Sequence, residues 1–369
     1  MEFNIKTILG DDLYIKKKAL ILKFNGNRIV ISTSLLNGGT RDNIKFVFNF
    51  DGKGKLNNHY IIEEDTYLEH LRSVAIKLGL DPNNTTGLST SADIRNFGIS
   101  SKQKNETKVV AIITAGVGGN ASRAGDVSSF DEMYLEGPLQ DHATINIILE
   151  IDANLSKGAL TNALITATEA KSALLQELQI GSLYSNQIAT GTGTDGCIII
   201  SNRDSNYILT NSGKHSLLGE LIANAVKDAL KQALFKQEKI TSQNRFDFFN
   251  LAKRYGITEK EILKMVIKTP QSNSFSEDQI LKLIKKQSKN EKIIIPMILI
   301  IHLLDQVNWQ IIKVNKAIPM IEMIKNKMLN DLNLEAMPKY SISQDKKMPE
   351  LILELFKKTF VEIMKINMK

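Results

Sequence analysis

Cysteine is almost absent from this chain: there is one, Cys197, in 369 residues. An internal disulfide is therefore excluded, and no cysteine cluster can build a structural zinc site. Cys197 lies in an apolar run, where a free cysteine ordinarily behaves as a small hydrophobe. Histidine is scarce too, at His59, His70, His142, His215 and His302. No two are spaced as a metal pair and no H-E-x-x-H occurs, so the common zinc hydrolase pattern is missing. Long apolar runs are missing as well. The longest, from Ile293 to Leu304, is broken by Pro296 and His302, and a bilayer span needs about 20 residues. The opening MEFNIKTILGDDLYIKKK has no apolar stretch behind a basic start, so no signal peptide is expected and the chain reads as cytoplasmic. Neither the Gly-Lys-Ser/Thr of a phosphate loop nor a G-x-S-x-G elbow is present.

What is present is ordinary globular composition, 43% apolar and 24% charged. The charge is unevenly placed. Residues 241–369 hold 22 Lys and Arg against 14 Asp and Glu, a net of +8, although the whole chain is only +7. The remainder is close to neutral. That shift marks a boundary near residue 240, with an α/β domain expected over 1–239 and a basic helical domain over 240–369.

Along the first region, ALILKF and RIVISTS around Asn-Gly-Asn (19–34) read as a β-hairpin. KFVFNF reads as a further strand. Residues 64–79 have helical spacing, with Gly79 as a stop, and 82–101 read as a polar loop. The strand KVVAIIT (108–114) leads into AGVGGNASRAGD. TINIILEID (144–152) is a second strand, followed by a helix over 156–179 with Ser156 as N-cap. CIIIS (197–201) precedes a helix over 215–238. Strands alternating with helices indicate a layered mixed sheet with flanking helices. Beyond Ile240 glycine nearly vanishes. RFDFFNLAKRYGITEKEILKMVI reads as two helices around Tyr-Gly-Ile-Thr, and MPELILELFKKTFVEIMKI as an amphipathic helix, giving an all-helical C-terminal domain.

Two glycine loops stand out. In AGVGGNA (115–121), Gly116, Gly118 and Ala121 fit G-x-G-x-x-A after a strand, the dinucleotide-binding pattern. The polar ASRAGDVSSF that follows is not the helix such a site needs, so a tight turn letting backbone approach a ligand is the stronger reading. ATGTGTDG (189–196) offers hydroxyls, backbone N–H groups and the carboxylate of Asp195, with no lysine beside it to meet a phosphate. Such donors suit a neutral, amide-rich ligand or a developing oxyanion. A plain glycine turn is the other reading. In TATEAK (166–171), Glu169 lies mid-helix, with Thr166, Glu169 and Ala173 near one face and Lys171 on another, and with Ala163, Ala167, Ala170 and Leu174 as a small-residue packing face. His142 precedes a strand and His215 opens a helix, at element ends where both active-site and capping residues occur.

NGG (37–39), TAGVGGNASRAGD (114–126), ATINI (143–147), TATEAK, ATGTGTDG and GKHSLLGEL (213–221) together resemble the adenosylcobinamide amidohydrolase family, in order and near spacing, over about residues 15–235. Ala143 stands where the family usually has glycine, and the helical region after about 240 has no counterpart. The resemblance implies hydrolysis of the amide joining aminopropanol to the corrin ring, giving adenosylcobyric acid and aminopropanol. It implies a substrate pocket from Asn37, Gly38, Gly39, Thr114, Gly116, Asn120, Asn146, Thr192 and Thr194.

The expected chemistry is attack by water, with Glu169 or His215 as general base and then acid, and Asp195 orienting the base. The N–H groups of Gly116–Gly119 or Gly191–Gly193 would hold the oxyanion. A covalent route through Thr192 or Thr194 is less favoured. No cofactor is required that the sequence shows, and cobalt comes with the corrinoid substrate. A non-catalytic corrinoid-binding sensor or carrier, with the C-terminal helical domain mediating partner or DNA binding, is the alternative. The C-terminal helices are expected to pair protomers into a homo-oligomer or pack on the enzyme. LAKRYGITEKEILKMV is a poor helix-turn-helix signal, so nucleic acid is not expected as a partner.

Overall fold

A computed structural model describes residues 3–53, 64–128, 131, 143–332, 357, 360, 361 and 363–365. His59 and His142 lie outside the described residues, as does most of the expected helix over 348–366. The chain forms two compact units, Met1–Thr241 and Ser242–Lys369.

The first unit opens with strands β1 (Asn4–Lys6), β2 (Asp12–Lys16), β3 (Ala19–Lys23), β4 (Arg28–Ser32), β5 (Gly39–Arg41) and β6 (Phe46–Asp51). Helix α1 (Tyr67–Leu78) follows, then β7 (Thr85–Thr90), β8 (Gly98–Lys104), β9 (Thr107–Ala115) and the short β10 (Ala121–Ser122). Next come β11 (Ile145–Ile151), β12 (Asn154–Leu155), α2 (Lys157–Glu177), β13 (Gly191–Thr192), β14 (Gly196–Asn202), β15 (Ile208–Leu209) and α3 (Leu217–Glu238). Pairing sorts most of the strands into two sheets, β1-β2-β3-β6-β7 and β5-β4-β14-β11-β9-β8. Only β6–β7 and β11–β14 run parallel within them. β10 pairs β13 and β12 pairs β15 as two-stranded ribbons.

Period-2 alternation makes this a four-layer sandwich. Along β11, Ile147, Leu149 and Ile151 face α2 and α3, while Ile148 faces the other sheet. β9 alternates in the same way, with Ala111 and Ile113 toward the helices and Val110 and Ile112 between the sheets. In the second sheet, Leu20 and Leu22 of β3 fill the space between sheets, and Ile21 and Phe48 meet α1. The layers are thus α1, five-stranded sheet, six-stranded sheet, and α2 with α3. This is the layered mixed α/β architecture expected for the first region, and the C-terminal region is helical as read.

Four local expectations are overturned. ALILKF and RIVISTS are not a hairpin: β3 pairs β2 and β6, while β4 joins the other sheet beside β14 and β5. Asn-Gly-Asn is a crossing between layers, tied by Asp204, which accepts from Asn27 N at 2.7 Å. Residues 82–101 are not a loop. They contain β7 and the start of β8, and β7 (TTGLST) is buried through hydroxyls paired inside the sandwich, such as Thr86 Oγ1 with Ser32 Oγ at 3.0 Å. Thr166 does not share a face of α2 with Glu169: it is buried with Ala167, Ala170 and Lys171, while Glu169 is exposed. Lys171 stands apart from Glu169, as read. Loop 189–196 also has a lysine beside it, because α2 brings Lys171 there in space.

Parallel β11 and β14 are joined through α2, so both begin at the same end of the sheet. β4 and β9 finish there, with Ser32 opposite Ile198 and Ala115 opposite Ile145. The glycine turns 37–39, 115–121 and 189–196 adjoin these strand ends. The 22-residue α3 begins near the other end, where Glu220 lies 3.9 Å from Lys104. It finishes against the loop after β9.

The second unit packs α4 (Phe248–Ala252), α5 (Glu259–Ile267), α6 (Glu277–Gln287), α7 (Glu291–Asn308) and α8 (Val314–Asp331) around a core that includes Phe248, Ile262, Ile284, Met297 and Met328. Gly256 takes a left-handed conformation between α4 and α5. Arg254 bonds both Asp305 oxygens at 2.6 and 2.7 Å, and Tyr255 donates its hydroxyl to the same carboxylate at 2.5 Å. No described helix is long and apolar enough to cross a membrane.

Candidate active site

The loop before β14 is organised by one carboxylate. Asp195 pairs with Lys171 of α2. Its Oδ1 accepts the Thr192 hydroxyl at 2.5 Å and the Thr192 and Ile145 N–H groups, each at 3.1 Å. Side chains of Lys171 and Asp195 are only 9% and 16% exposed, so the pair is largely removed from water. A Cβ added at Gly191 would fall 2.1 Å from Asp195 Oδ2 and 2.6 Å from Lys171 Nζ, so a side chain there would displace the pair. Cys197 sits beside this pair, and burial pushes its thiol up to about 12, so it stays protonated. It is the inert residue expected.

The two glycine loops are tied together. Ala121 pairs with Thr192 across the β10–β13 ribbon, and Gly193 N donates to Asn120 O at 3.2 Å. Asn120 Oδ1 accepts the Tyr184 hydroxyl at 2.7 Å, and Thr144 Oγ1 donates to Thr194 O at 2.7 Å. Thr192, Thr194, Gly116 and Asn120 therefore share one neighbourhood.

Other expected pocket residues serve the frame. Thr114 and Asn146 lie opposite each other on β9 and β11, each 1% exposed and turned between the sheets. Asn49 donates to Thr114 Oγ1 at 2.7 Å. Asn146 donates to Asn49 Oδ1 and Ser89 O, both at 2.9 Å, and accepts from Gly196 N at 3.1 Å. Both Asn146 amide protons are spent, so a ligand would have to break buried bonds to use them. Asn37, at φ 52, donates to Pro82 O and Thr85 O at 2.6 and 2.8 Å, and Gly38 packs so tightly on Ser34 O that a Cβ would fall 2.1 Å away. This turn is a strut, with exposed Gly39 at its tip.

Asp195 and His215 are not joined, since all hydrogen bonds of Asp195 go to Lys171, Thr192 and Ile145. His215 is exposed just before α3. The 22 residues of that helix, about 33 Å at 1.5 Å per residue, lie between it and the turn at Gly116. Glu169 is exposed and paired with Lys214 at 2.5 Å. Of the expected oxyanion donors, Gly116 N donates to Thr144 O, Val117 N and Gly118 N to Glu238, Thr192 N to Asp195 and Gly193 N to Asn120 O. Among the described residues no group of three or more His, Cys, Asp or Glu could hold a metal ion.

Residues 5–242, nearly the whole first unit, match the family described as adenosylcobinamide amidohydrolase. The chain belongs to this family. An uncharacterized protein of Methanocaldococcus jannaschii is 34% identical over 245 residues, covering 63% of this chain and 92% of the relative. An adenosylcobinamide amidohydrolase of Methanosarcina mazei is 29% identical over 222 residues, covering 60% and 96%. Among solved structures, the PH0078 protein from Pyrococcus horikoshii OT3 is similar at a TM-score of 0.33 and 13% identity, covering 70% of this chain and 92% of that one. As a member of the amidohydrolase family the chain is an enzyme that hydrolyses a C–N amide bond.

Sequence reading missed three residues that contact these glycine loops. Lys171 had a usable signal, its spacing of four from Ala167 and eight from Ala163 on the packed side of α2. Tyr184 and Glu238 had none, because each reaches the glycine loops only through the fold.

Proposed function

We propose that this amidohydrolase cleaves the amide linking aminopropanol to the corrin ring of adenosylcobinamide, releasing adenosylcobyric acid and aminopropanol. The family match over 5–242 carries the reading. It is supported by the gathering of Gly39, Gly116, Asn120, Thr192 and Thr194 at one end of one sheet. The local charges there are balanced within the chain, as Lys171 is by Asp195. Such an end suits a ligand edged by neutral amides.

Within this reading, Thr192, Asp195 and Lys171 do the chemistry. Thr192 Oγ adds to the amide carbon while its proton passes to Asp195 Oδ1, along the hydrogen bond already formed at 2.5 Å. Collapse breaks the C–N bond, and the departing amine takes that proton. Water then adds to the threonyl ester, frees the corrin carboxylic acid and restores the hydroxyl. Lys171 positions Asp195 through the chemistry. The Thr192–Asp195 contact favours this covalent route over direct attack by water, because both carboxylate oxygens already hold donors. Glu169 and His215 have no part in it.

Incubation of the purified protein with adenosylcobinamide, followed by chromatography, should yield adenosylcobyric acid and free aminopropanol, with cobinamide lacking the adenosyl group as control. Tight corrinoid binding with no aminopropanol released would mean a carrier and end the proposal.

A further inference from the structure

The turn after β9 holds a carboxylate that nothing in the reaction described above uses. Glu238, the last residue of α3, places Oε1 2.7 Å from Val117 N and 3.1 Å from Gly118 N. Two successive backbone N–H groups converging on one oxygen form a nest for an anion. The glycines leave room for it: a Cβ at Gly116 would lie 3.2 Å from Oε1, and one at Gly118 3.6 Å from Oε2. Val117 is buried and Gly118 is exposed, so the nest opens on one side.

The neighbourhood is that of the proposed chemistry. The nest precedes Asn120, whose carbonyl accepts from Gly193, and Ala121, which pairs with Thr192. Glu238 arrives on a well-anchored helix end. Lys236 Nζ donates to Phe97 O at 2.8 Å, and Gln237 Oε1 accepts from Asn96 Nδ2 at 2.9 Å. These side chains hold the end of α3 whether or not Glu238 is in the nest, so its carboxylate can leave without unpinning the helix.

We propose that the Val117–Gly118 N–H pair is a carboxylate-binding site of the enzyme, filled by Glu238 at rest, from which a ligand oxygen displaces it. Given the proposed reaction, on which only the ligand's identity rests, that oxygen belongs to the scissile amide as it becomes an oxyanion, or to the product carboxylate. Both are anionic where the ground-state amide is not, and backbone donors favour the charged forms. Glu238 thereby keeps the donors oriented and dry of competing anions between turnovers.

The test uses the full-length protein and two small probes, acetate and acetamide, read through the amide resonances of Val117 and Gly118. In Glu238→Ala, acetate should shift both resonances saturably. The wild type should need about tenfold more acetate or higher, the weight of one charge-assisted hydrogen bond. Acetamide, being neutral, should act more weakly than acetate. Glu238→Gln keeps an acceptor in place without the charge and should fall between the two. It also carries the titration should the alanine variant lose its native spectrum. In a turnover assay, adenosylcobyric acid should inhibit Glu238→Ala at about tenfold lower concentration than the wild type. Resonances of Val117 and Gly118 that ignore acetate in both variants, with the remaining spectrum native, would overturn the proposal. An acetate response without aminopropanol release from adenosylcobinamide would uphold the nest and discard the substrate.

Discussion

Lys171 Nζ, carried on α2, pairs with Asp195 of the loop that opens β14, and the two close over the space left by Gly191. The pair lies 24 residues apart in sequence and joins a helix to the start of a strand. It is mostly screened from water, and Asp195 fills its remaining lone pairs with N–H and O–H groups of Thr192 and Ile145. A buried pair so satisfied is costly to break from one side only.

Lys171→Met should therefore cost about 3–5 kcal/mol of stability, because it leaves a buried carboxylate without its cation. The double variant Lys171→Met with Asp195→Asn should recover part of that loss. Urea unfolding of the three proteins measures it. A loss below about 1 kcal/mol, as surface pairs give, would place the pair in solvent instead.

Thr192→Val should remove turnover by about 10³-fold or more while leaving the unfolding midpoint within a few degrees, and Thr192→Ser should keep most of it. Glu169→Gln and His215→Ala should turn over at close to the native rate, since neither reaches the Asp195 loop. Single-turnover assays with adenosylcobinamide, and mass spectrometry for an acyl-threonine adduct, separate these outcomes. If His215→Ala falls as far as Thr192→Val, the roles assigned here are wrong.

Glu150, on β11, gives a pH dependence. It is fully buried between the sheets, close to Thr7, Asp11 and Arg28. Burial, and then the charge of Asp11, raise its carboxyl well above the ordinary 4.5. Below about 4.5 both folded and unfolded chains hold the proton and nothing is lost. As pH rises past that value the unfolded chain releases its proton and the folded one keeps it, so stability falls until the folded group also ionises. Glu150→Gln should remove this component. Denaturation midpoints taken from pH 4 upward should show the variant gaining on the wild type as pH increases; parallel curves would refute it.

In the helical unit, Arg254, Tyr255 and Asp305 bind the turn after α4 to α7 through a nearly buried bidentate pair. Burial raises the Tyr255 hydroxyl well above its usual range, so it remains a donor. Arg254→Met should cost the unit about 3–5 kcal/mol and leave amide hydrolysis unchanged. Trp309, the sole tryptophan, lies in this unit and reports its unfolding by fluorescence. An unaltered fluorescence transition would show the pair to be dispensable.

The elements legible beforehand were those whose register is local. α1 ends at Gly79 in the left-handed conformation, and α2 begins at Ser156, whose hydroxyl accepts from Ala159 N, because caps act within one turn. β9, β11 and β14 were visible as apolar runs buried on both faces. β7 was not, because Thr85, Thr86, Ser89 and Thr90 look polar until partners across the sheets satisfy them. Of the residues expected to line the pocket, Thr192, Thr194, Asn120 and Gly116 come together in space. Thr114 and Asn146 were read for ligand contact and hold the sheets instead.

Residue types at short spacing were enough for the family, the alternation of strands and helices, the helical character beyond residue 240 and the glycine turns. Tertiary structure alone decided that β3 and β4 part into different sheets, that Lys171 meets Asp195, that Glu238 reaches Val117, and that His215 stands a helix-length away. Those outcomes depend on long-range pairing and on which ends of parallel strands coincide, and no local pattern of side chains encodes them.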